Sequence, residues 1–351
     1  MKLPVYLLLT TLSLQLINAQ TRSFKCERIY DAIKLMDTGK YDESIEILRE
    51  CEKIDPKDYS YPYEIAYAFF QKKDYKNAIS QLEKIKNYEN IKADYFQLLG
   101  NVYDYDGNPD KAIHTYEEGL KKFPNSGRLY LEKGVMNEHD KPLEAIKMYE
   151  KGIALDPSYP SNYYRAAKLY LNSNDKLSGL IYGEIFLNLE RTTPRTQEMG
   201  KLLYEGYKKS IIFESKDKIK IDFCEAVIDV QNKKYPLCVV FGKNFISVII
   251  NQNEFNFENL AAIRNRFVKE YFKEDYKDYP NILFSYFKKM EDNNVLNAYN
   301  HYIFQMGDVQ AFKLWQANNQ AEYDKFADWY TTKENVIKID RANAFISDQI
   351  K

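Results

Sequence analysis

Apolar residues recur along most of the chain with the spacing of one face of an α-helix. Leu98, Leu99, Val102 and Tyr103 are a typical set, and polar residues occupy the positions between such sets. The helical stretches are separated by short turn signals, which are Gly39-Lys40-Tyr41, Lys73-Asp74-Tyr75 and Gly107-Asn108-Pro109. This pattern predicts short amphipathic helices joined by tight turns, and therefore an all-α fold.

Small residues recur in the first half of the chain with a period of 34. One series is Ser44, Ala78, Ala112, Ala145 and Gly179, and a second is Ala32, Ala66, Gly100, Gly134 and Ala167. Both series place a one-residue deletion between Gly134 and Ala145, which argues against a chance periodicity. Small side chains are expected where two antiparallel helices touch, so the period predicts a helix-turn-helix repeat.

Proline marks the end of most repeats. The dipeptides Asp55-Pro56, Phe123-Pro124 and Asp156-Pro157 follow the second helical stretch of their repeats, with Asn90 at the matching place in another. Proline cannot continue a helix and disfavours helix in the residue before it. Each repeat is therefore predicted as a helix, a tight turn, a second helix and a proline stop.

One repeat carries a recognisable signature. It is Phe96-Gln97-Leu98-Leu99-Gly100-Asn101-Val102-Tyr103, followed by Gly107, Pro109, Ala112, Tyr116, Gly119 and Pro124. This pattern resembles the tetratricopeptide repeat, and the whole chain resembles signal-peptide-bearing tetratricopeptide proteins of Bacteroidota. The first repeat departs from it, with Arg28 where an aromatic residue is usual, and the fifth lacks the final proline. The resemblance implies about five repeats over residues 25–193, stacked as a solenoid that binds protein or peptide partners in a concave groove.

The N-terminus has the features of a secretory signal peptide. Lys2 precedes an apolar run from Leu3 to Ile17, and Ala19 offers a small residue at a cleavage point. We expect residues 1–19 to be removed, leaving Gln20 first and placing the protein in the periplasm or outside the cell. An uncleaved anchor is the alternative. No later apolar run has the length of a membrane span.

The second half of the chain is less regular. A helix over 194–212, with Met199, Leu203 and Tyr207 on one face, is expected to cap the repeats. Residues 208–220 are rich in charge and predict a linker, and residues 219–250 predict either two short strands or a buried helix. Residues 213–351 are otherwise expected to form a mostly helical domain. It includes a degenerate repeat-like hairpin around Ala311, Phe312 and Trp315.

Four cysteines in an exported chain raise the question of disulfides. Cys26 lies near the start of the first helix of its repeat and Cys51 near the end of the second, so antiparallel packing brings them together. We expect that pair to form a disulfide. For Cys224 and Cys238 a disulfide and two buried free thiols both stay open.

Composition narrows the functional classes. Fifty basic and 51 acidic side chains give a net charge of −1, so no overall field attracts nucleic acid. His114, His139 and His301 are scattered, without metal-ligand or catalytic spacing, and we expect them at the surface or in the groove. No metal and no cofactor is expected. A nucleophilic Cys238–His301 pair is a minor possibility.

The first helix of each repeat is expected to line the groove. The residues predicted to face it are Tyr63, Tyr67, Phe70, Gln97, Asn101, Arg128, Tyr164, Arg165 and Lys168. Their order, from aromatic through amide to basic, suits an extended peptide with an apolar side chain and an acidic group. The alternative for the aromatic residues is that they fill a tightly wound array. The sequence thus predicts a non-catalytic exported scaffold, the alternative being an enzyme with its active site in 213–351.

Overall fold

The computed structural model describes residues 24–215, 218–225, 234–249 and 252–347. The predicted signal peptide, residues 1–19, lies outside the described residues. The described chain contains 17 α-helices and one two-stranded sheet, so the prediction of an all-α fold with a short β segment is confirmed.

The first ten helices follow the predicted repeat order, two helices to a repeat. Their bounds are α1 Ile29–Asp37, α2 Tyr41–Ile54, α3 Ser60–Gln71, α4 Tyr75–Ile85, α5 Ala93–Tyr105, α6 Pro109–Lys122, α7 Gly127–Val135, α8 Pro142–Leu155, α9 Pro160–Leu171 and α10 Lys176–Leu189. Pro142 and Pro160 occupy the first turn of their helices. The missing N–H of proline costs nothing there, because the first helical N–H groups have no partner within the helix.

The chain forms two compact bodies. The described residues through Ile91, together with Val102–Asn108, make the N-terminal body, and Lys92–Asn101 with the described residues from Pro109 onward make the C-terminal body. Each body has its own buried core. That of the N-terminal body includes Ile29, Leu48 and Tyr61, and that of the C-terminal body includes Tyr149, Phe186 and Phe267.

All ten positions of the two small-residue series are buried. In the C-terminal body, a Cβ atom added to Gly134 would lie 2.1 Å from the ring of Tyr149, and one added to Gly100 would lie 2.1 Å from the ring of Tyr116. The absent side chain is what lets a tyrosine of the second helix lie against the backbone of the first. The repeated small residues therefore mark the positions at which the two helices of a repeat contact each other.

The turn between the two helices of a repeat uses a left-handed residue. In the N-terminal body this residue is Gly39 (φ 76°), Lys73 (φ 61°) and Gly107 (φ 79°), at intervals of 34. Glycine adopts this conformation without the steric cost that a Cβ atom brings. Lys73 holds the same backbone shape with a side chain that is unfavourable there.

The remainder of the C-terminal body is helical apart from one hairpin. Its elements are α11 Pro194–Ser210, β1 Ile211–Ser215, β2 Lys218–Ile221, α12 Leu237–Val248, α13 Phe257–Glu274, α14 Ile282–Asp292, α15 Leu296–Ile303, α16 Val309–Asn318 and α17 Gln320–Thr331, then a 3-10 turn Lys333–Asn335. Residues 208–220 are therefore not a linker, and that prediction is wrong. β-Branched residues such as Ile211, Ile212 and Ile221 favour strands, and Ile211 pairs with Ile221 across the antiparallel hairpin.

Among the described residues of 219–250, residues 219–221 belong to strand β2 and residues 237–248 form helix α12, so one strand and one helix replace the two alternatives. Cys224 and Cys238 are joined by a disulfide, with Cα atoms 6.2 Å apart, between the segment after β2 and the first turn of α12. In the N-terminal body Cys26 and Cys51 are joined by another, with Cα atoms 5.2 Å apart. The domain boundaries proposed from the sequence stay a prediction.

A buried ion pair connects the fifth repeat to the helices that follow it. Arg264 of α13 donates from Nη1 to Glu184 Oε2 of α10 at 2.8 Å, and its Nε donates to Asn300 Oδ1 of α15 at 2.7 Å. Tyr207 of α11 accepts from Arg264 Nη1 at 2.9 Å, and Tyr299 donates to Glu184 Oε1 at 2.9 Å. Four helices thus share one polar cluster inside an aromatic core.

The last described segment, residues 336–347, returns to the repeats without forming a helix. Arg341 Nε donates to the carbonyl oxygen of Leu155 at 2.8 Å, and the Phe345 ring lies 5.1 Å from that of Tyr182. The buried Ser347 donates its N–H to Glu150 Oε1 at 3.2 Å. In the part of the chain that the structure describes, no helix has both the length and the apolar character needed to cross a bilayer.

Candidate partner-binding surface

The predicted aromatic residues of α3 lie in the N-terminal body beside two others. Phe70 contacts Tyr105 edge-on at 5.3 Å, and Tyr105 lies 6.1 Å from Tyr75. Tyr105 is 64% exposed and Tyr67 is 37% exposed, whereas Tyr63 packs 6.0 Å from the ring of Tyr59. The face therefore includes Tyr75 and Tyr105, which sequence reasoning missed. Tyr105 lies one helical turn beyond Asn101, the last groove residue predicted on α5.

In the C-terminal body the predicted amides hold a carboxylate. Gln97 of α5 accepts from Arg128 Nη1 of α7 at 3.0 Å and donates from Nε2 to Glu132 Oε1 at 2.5 Å. In the amide orientation that gives each of its atoms a suitable partner, Asn101 donates to Glu132 Oε2 at 3.2 Å and to the Tyr116 hydroxyl at 2.6 Å. The two amides thereby fix both oxygens of Glu132.

Burial raises the pKa of Glu132 above its ordinary value. The hydrogen bonds from Gln97 and Asn101, and the charges of Arg165 and Arg128, act in the opposite direction. Partial burial makes the charged form costly, so the hydrogen bonds to Glu132 matter more than they would in water.

The predicted basic residues of α9 are also engaged. Arg165 Nη1 lies 3.0 Å from Glu138 Oε2, and Tyr149 donates to the other oxygen of Glu138 at 2.6 Å. Lys168 Nζ lies 2.9 Å from Glu198 Oε1 of α11. Hydrogen bonds from Tyr164 and Lys168 lower the pKa of Glu198, and the bond to Glu198 raises the pKa of Lys168.

Tyr164 is placed differently from the other predicted residues. Its ring is buried and packs 5.1 Å from that of Phe186, while its hydroxyl donates to Glu198 Oε2 at 2.5 Å. The ring therefore belongs to the core, and only the hydroxyl reaches the polar surface.

We call the charged and amide side chains of this face, which form three separate hydrogen-bonded groups, the polar ladder. Its members are Gln97, Asn101, Arg128, Glu132, Glu138, Arg165, Lys168 and Glu198. It contains three cations and three carboxylates, so its formal charge is zero. Sequence reasoning missed the three glutamates, although each stands roughly one repeat from its partner. Glu132, for example, follows Gln97 by 35 residues.

Arg128 differs from the other two cations of the ladder. No ion pair of the described residues includes it, and its guanidinium lies 5.8 Å from the centre of the Tyr159 ring. Only Nη1 donates within the ladder, to the neutral Gln97. Arginine offers five N–H donors, so Arg128 has donors to spare.

The prediction for His301 and the possible Cys238–His301 pair need correction. His301 is buried rather than at the surface or in the groove: its ring stacks on Trp315 at 4.1 Å, and Nε2 lies 3.0 Å from Glu258 Oε2. His114 and His139 are exposed. The Cys238–His301 pair does not form, because Cys238 is bonded to Cys224. No cluster of three side chains suited to a metal ion occurs among the described residues.

Comparison with known proteins agrees with the repeat pattern. Tetratricopeptide-repeat family models match residues 35–58 and 98–160. No curated protein matches the chain.

Several solved structures are similar in part. A repeat protein from Cytophaga hutchinsonii, solved as its C-terminal part, is 14% identical and covers 85% of this chain and 98% of its own, with a TM-score of 0.39. One from Parabacteroides merdae is 11% identical and covers 86% and 96%, with a TM-score of 0.38. TTC0263 of Thermus thermophilus is 15% identical and covers 50% and 96%, with a TM-score of 0.43. The assignment of the repeats rests on the family matches and on the chain's own helix pattern.

Proposed function

We propose that this tetratricopeptide-repeat protein is an exported, non-catalytic scaffold that binds a protein or peptide partner on the first helices of its repeats. The observation that carries the proposal is the polar ladder, whose side-chain hydrogen bonds link α5 to α7, α9 to the turn after α7, and α9 to α11. The face it occupies is the one that the repeat pattern assigns to partner binding.

The ladder favours binding because its groups are already held in place. A free glutamine or arginine side chain loses rotamer freedom when a partner orders it, at a cost of about 0.5–1.5 kcal/mol. Gln97 is held by Arg128 and by Glu132, and Arg128 is held by Gln97, before a partner arrives. Much of that ordering cost is therefore borne by the folded protein alone.

The charges of the ladder suggest where an acidic group of the partner binds. Arg165 and Lys168, to which the sequence assigned that role, already contact Glu138 and Glu198. An incoming carboxylate would have to displace those partners. Arg128 has unused donors and no carboxylate partner, so it is the better site for an acidic side chain or a backbone carbonyl oxygen.

The aromatic face of the N-terminal body suits an apolar side chain. Phe70, Tyr75 and Tyr105 contact one another, and Tyr105 is mostly exposed. Aromatic rings offer large contact area with little loss of rotamer freedom.

Export is supported by the N-terminal signal pattern and by the pairing of all four cysteines. Disulfides persist in oxidising compartments and are rare in the cytosol. Alkylation of the protein taken from its native cells, with and without prior reduction, tests this proposal. We expect no alkylation before reduction, and free thiols in the unreduced sample would contradict export.

The enzyme alternative stays a prediction. The one nucleophile pair considered for it is unavailable, since Cys238 is bonded to Cys224 and His301 lies in the core.

The test is cross-linking and capture from the native envelope fraction, using residues 20–351 as bait. Arg128→Ala removes the free cation of the ladder, and Lys133→Ala, a cation of the same helix paired with Glu117, is the matched control. We expect the parent and the control to capture one dominant partner. We expect Arg128→Ala to weaken capture about tenfold, as for an arginine central to an interface. Equal capture by all three proteins would contradict the proposal.

A further inference from the structure

A cleft of about 810 Å³ lies in the C-terminal body and shares no residue with the polar ladder. Three stretches of chain line it, 234–237, 276–285 and 342–346. The first leads into α12, the second joins α13 to α14, and the third belongs to the returning C-terminal segment. A concavity of this size is in the range of ligand sites.

Apolar side chains dominate the lining. They are Tyr235, Pro236, Leu237, Tyr276, Tyr279, Pro280, Ile282, Ala342, Ala344, Phe345 and Ile346. The Tyr276 ring stacks on Phe272 at 4.2 Å, and its hydroxyl lies 3.0 Å from Ser285 Oγ, so this wall is fixed by its own contacts. Tyr235 is 53% exposed and forms the open side.

The charges of the lining cancel. Lys234 and Asp278 are its two charged side chains, and the Lys234 ammonium lies 5.1 Å above the Tyr279 ring. A charged ligand buried there would meet no net opposite charge to offset its loss of water. The lining therefore favours an uncharged occupant.

The backbone of the C-terminal segment, residues 342–346, indicates which class of ligand the cleft binds. Within the described part of the chain, the N–H and C=O groups of Phe345 and Ile346 form no hydrogen bond. The next residue is firmly held, because Ser347 Oγ lies 2.6 Å from the Tyr170 hydroxyl and its N–H also reaches Tyr182 at 3.0 Å. One wall of the cleft is therefore held in place at Ser347, and it contains peptide groups without a hydrogen-bond partner among the described residues.

We propose that this cleft binds an uncharged, extended peptide segment with apolar side chains. Alternating N–H and C=O groups are matched by another peptide backbone, which provides both donors and acceptors at that spacing. The tyrosine and proline side chains provide the surfaces against which its apolar side chains pack. The proposal is independent of the partner-binding role of the ladder.

The experiment uses fluorescence polarisation on the full mature chain. The probes are short, capped, labelled peptides made from Val, Ile, Pro, Tyr and Ser, each with a version carrying Lys or Glu and a version methylated at its backbone nitrogens. Maltotriose serves as a neutral competitor without peptide groups. Tyr235→Ser alters the open side of the cleft, and Tyr30→Ser, a similarly exposed tyrosine of the N-terminal body, is its matched control. Circular dichroism verifies that both variants fold.

We expect at least one uncharged peptide to bind the parent and the Tyr30→Ser control equally. We expect Tyr235→Ser, backbone methylation and added charge each to weaken binding by about tenfold. Three results would each overturn the proposal: no binding by any uncharged peptide, binding unaffected by Tyr235→Ser, or peptide displacement by maltotriose.

Discussion

At the scale of single residues, the fold depends on glycines, which have no side chain, as much as on the bulky residues that pack against them. Gly100 and Gly134 leave room for a tyrosine of the partner helix, and Gly39 and Gly107 provide left-handed turns. These constraints are local and fall at a fixed period, so a sequence displays them directly.

Gly134→Ala tests the close approach of two helices. The added Cβ would lie 2.1 Å from the Tyr149 ring, so the free energy of unfolding should fall by about 1–3 kcal/mol. Gly242→Ala is the matched control in α12, where the nearest atom outside its own helix is 3.8 Å from the added Cβ. Because alanine favours helix over glycine, the control should gain about 0.5–1 kcal/mol. Urea denaturation measures both, and equal effects would contradict the packing described.

Glu150, which accepts a hydrogen bond from Ser347 of the C-terminal segment, predicts how stability depends on pH. Burial raises the pKa of its carboxyl group above the ordinary 4.5, against hydrogen bonds from Tyr182, Ser347 and Tyr170. The folded chain thus favours the neutral acid. The stability this contributes is complete below the unfolded-state pKa and is lost as pH rises through the raised folded-state pKa.

Glu150→Gln keeps a neutral group at that position and should remove this loss. We expect the Tm of the variant to rise relative to that of the parent as pH increases from about 4 to about 7, because the other titrating groups are common to both proteins. Thermal scans across this range measure the difference. If the Tm of the variant minus that of the parent stays constant or falls as pH increases, Glu150 does not titrate as proposed.

The residues of the candidate site were only partly predictable. Gln97, Asn101, Arg128, Arg165 and Lys168 follow from their place on the first helix of a repeat. The glutamates that pair with them do not, because those contacts join different repeats and depend on how neighbouring helices are offset. Tyr164 was predicted to face the groove, but its position lies at the edge of that face. Its ring packs in the core, and only its hydroxyl reaches the polar surface.

At the scale of elements, periodicity predicted the repeat helices well and the C-terminal elements less well. A 34-residue repeat shows the same order of helix, turn and helix in several copies. A helix that is poorly marked in one copy can therefore be predicted from its place in the others. Residues 208–220 belong to no repeat, and their charged composition predicted a linker. The β1–β2 hairpin forms there because both strands contain β-branched residues, adjacent to each other in β1 and alternating with lysines in β2. This short-range signal competes with the charged composition.

The Arg264–Glu184 pair tests how the fifth repeat is joined to the helices after it. Both side chains are almost completely buried, so Arg264→Met leaves Glu184 without its partner and should lower the free energy of unfolding by about 3–5 kcal/mol. Adding Glu184→Gln should recover part of that loss. Lys147→Met, which breaks an exposed pair with Glu144, should change stability by less than about 0.5 kcal/mol. Similar losses from the buried and the exposed change would refute this role.

At the scale of the whole molecule, the candidate binding features lie in two compact bodies. The repeats present an aromatic face in one body and a balanced polar ladder in the other, and the helices from α11 onward add a core closed by the returning C-terminal segment. A balanced surface binds through placed hydrogen bonds rather than through net charge. Added salt should therefore weaken binding mainly through Arg128, the cation of the ladder without an ion pair among the described residues, because screening acts mainly on unpaired charges.

The most direct test of the account is hydrogen exchange of the mature chain, measured with and without the partner obtained by capture. Amides in the first helices α5, α7 and α9 should gain protection on binding. At a partner concentration near the parent's Kd, the roughly tenfold weaker binding of Arg128→Ala should remove most of that gain, while Lys133→Ala preserves it. Protection confined to residues 213–347, with α5, α7 and α9 unchanged, would contradict the claim that the ladder is the partner-binding surface.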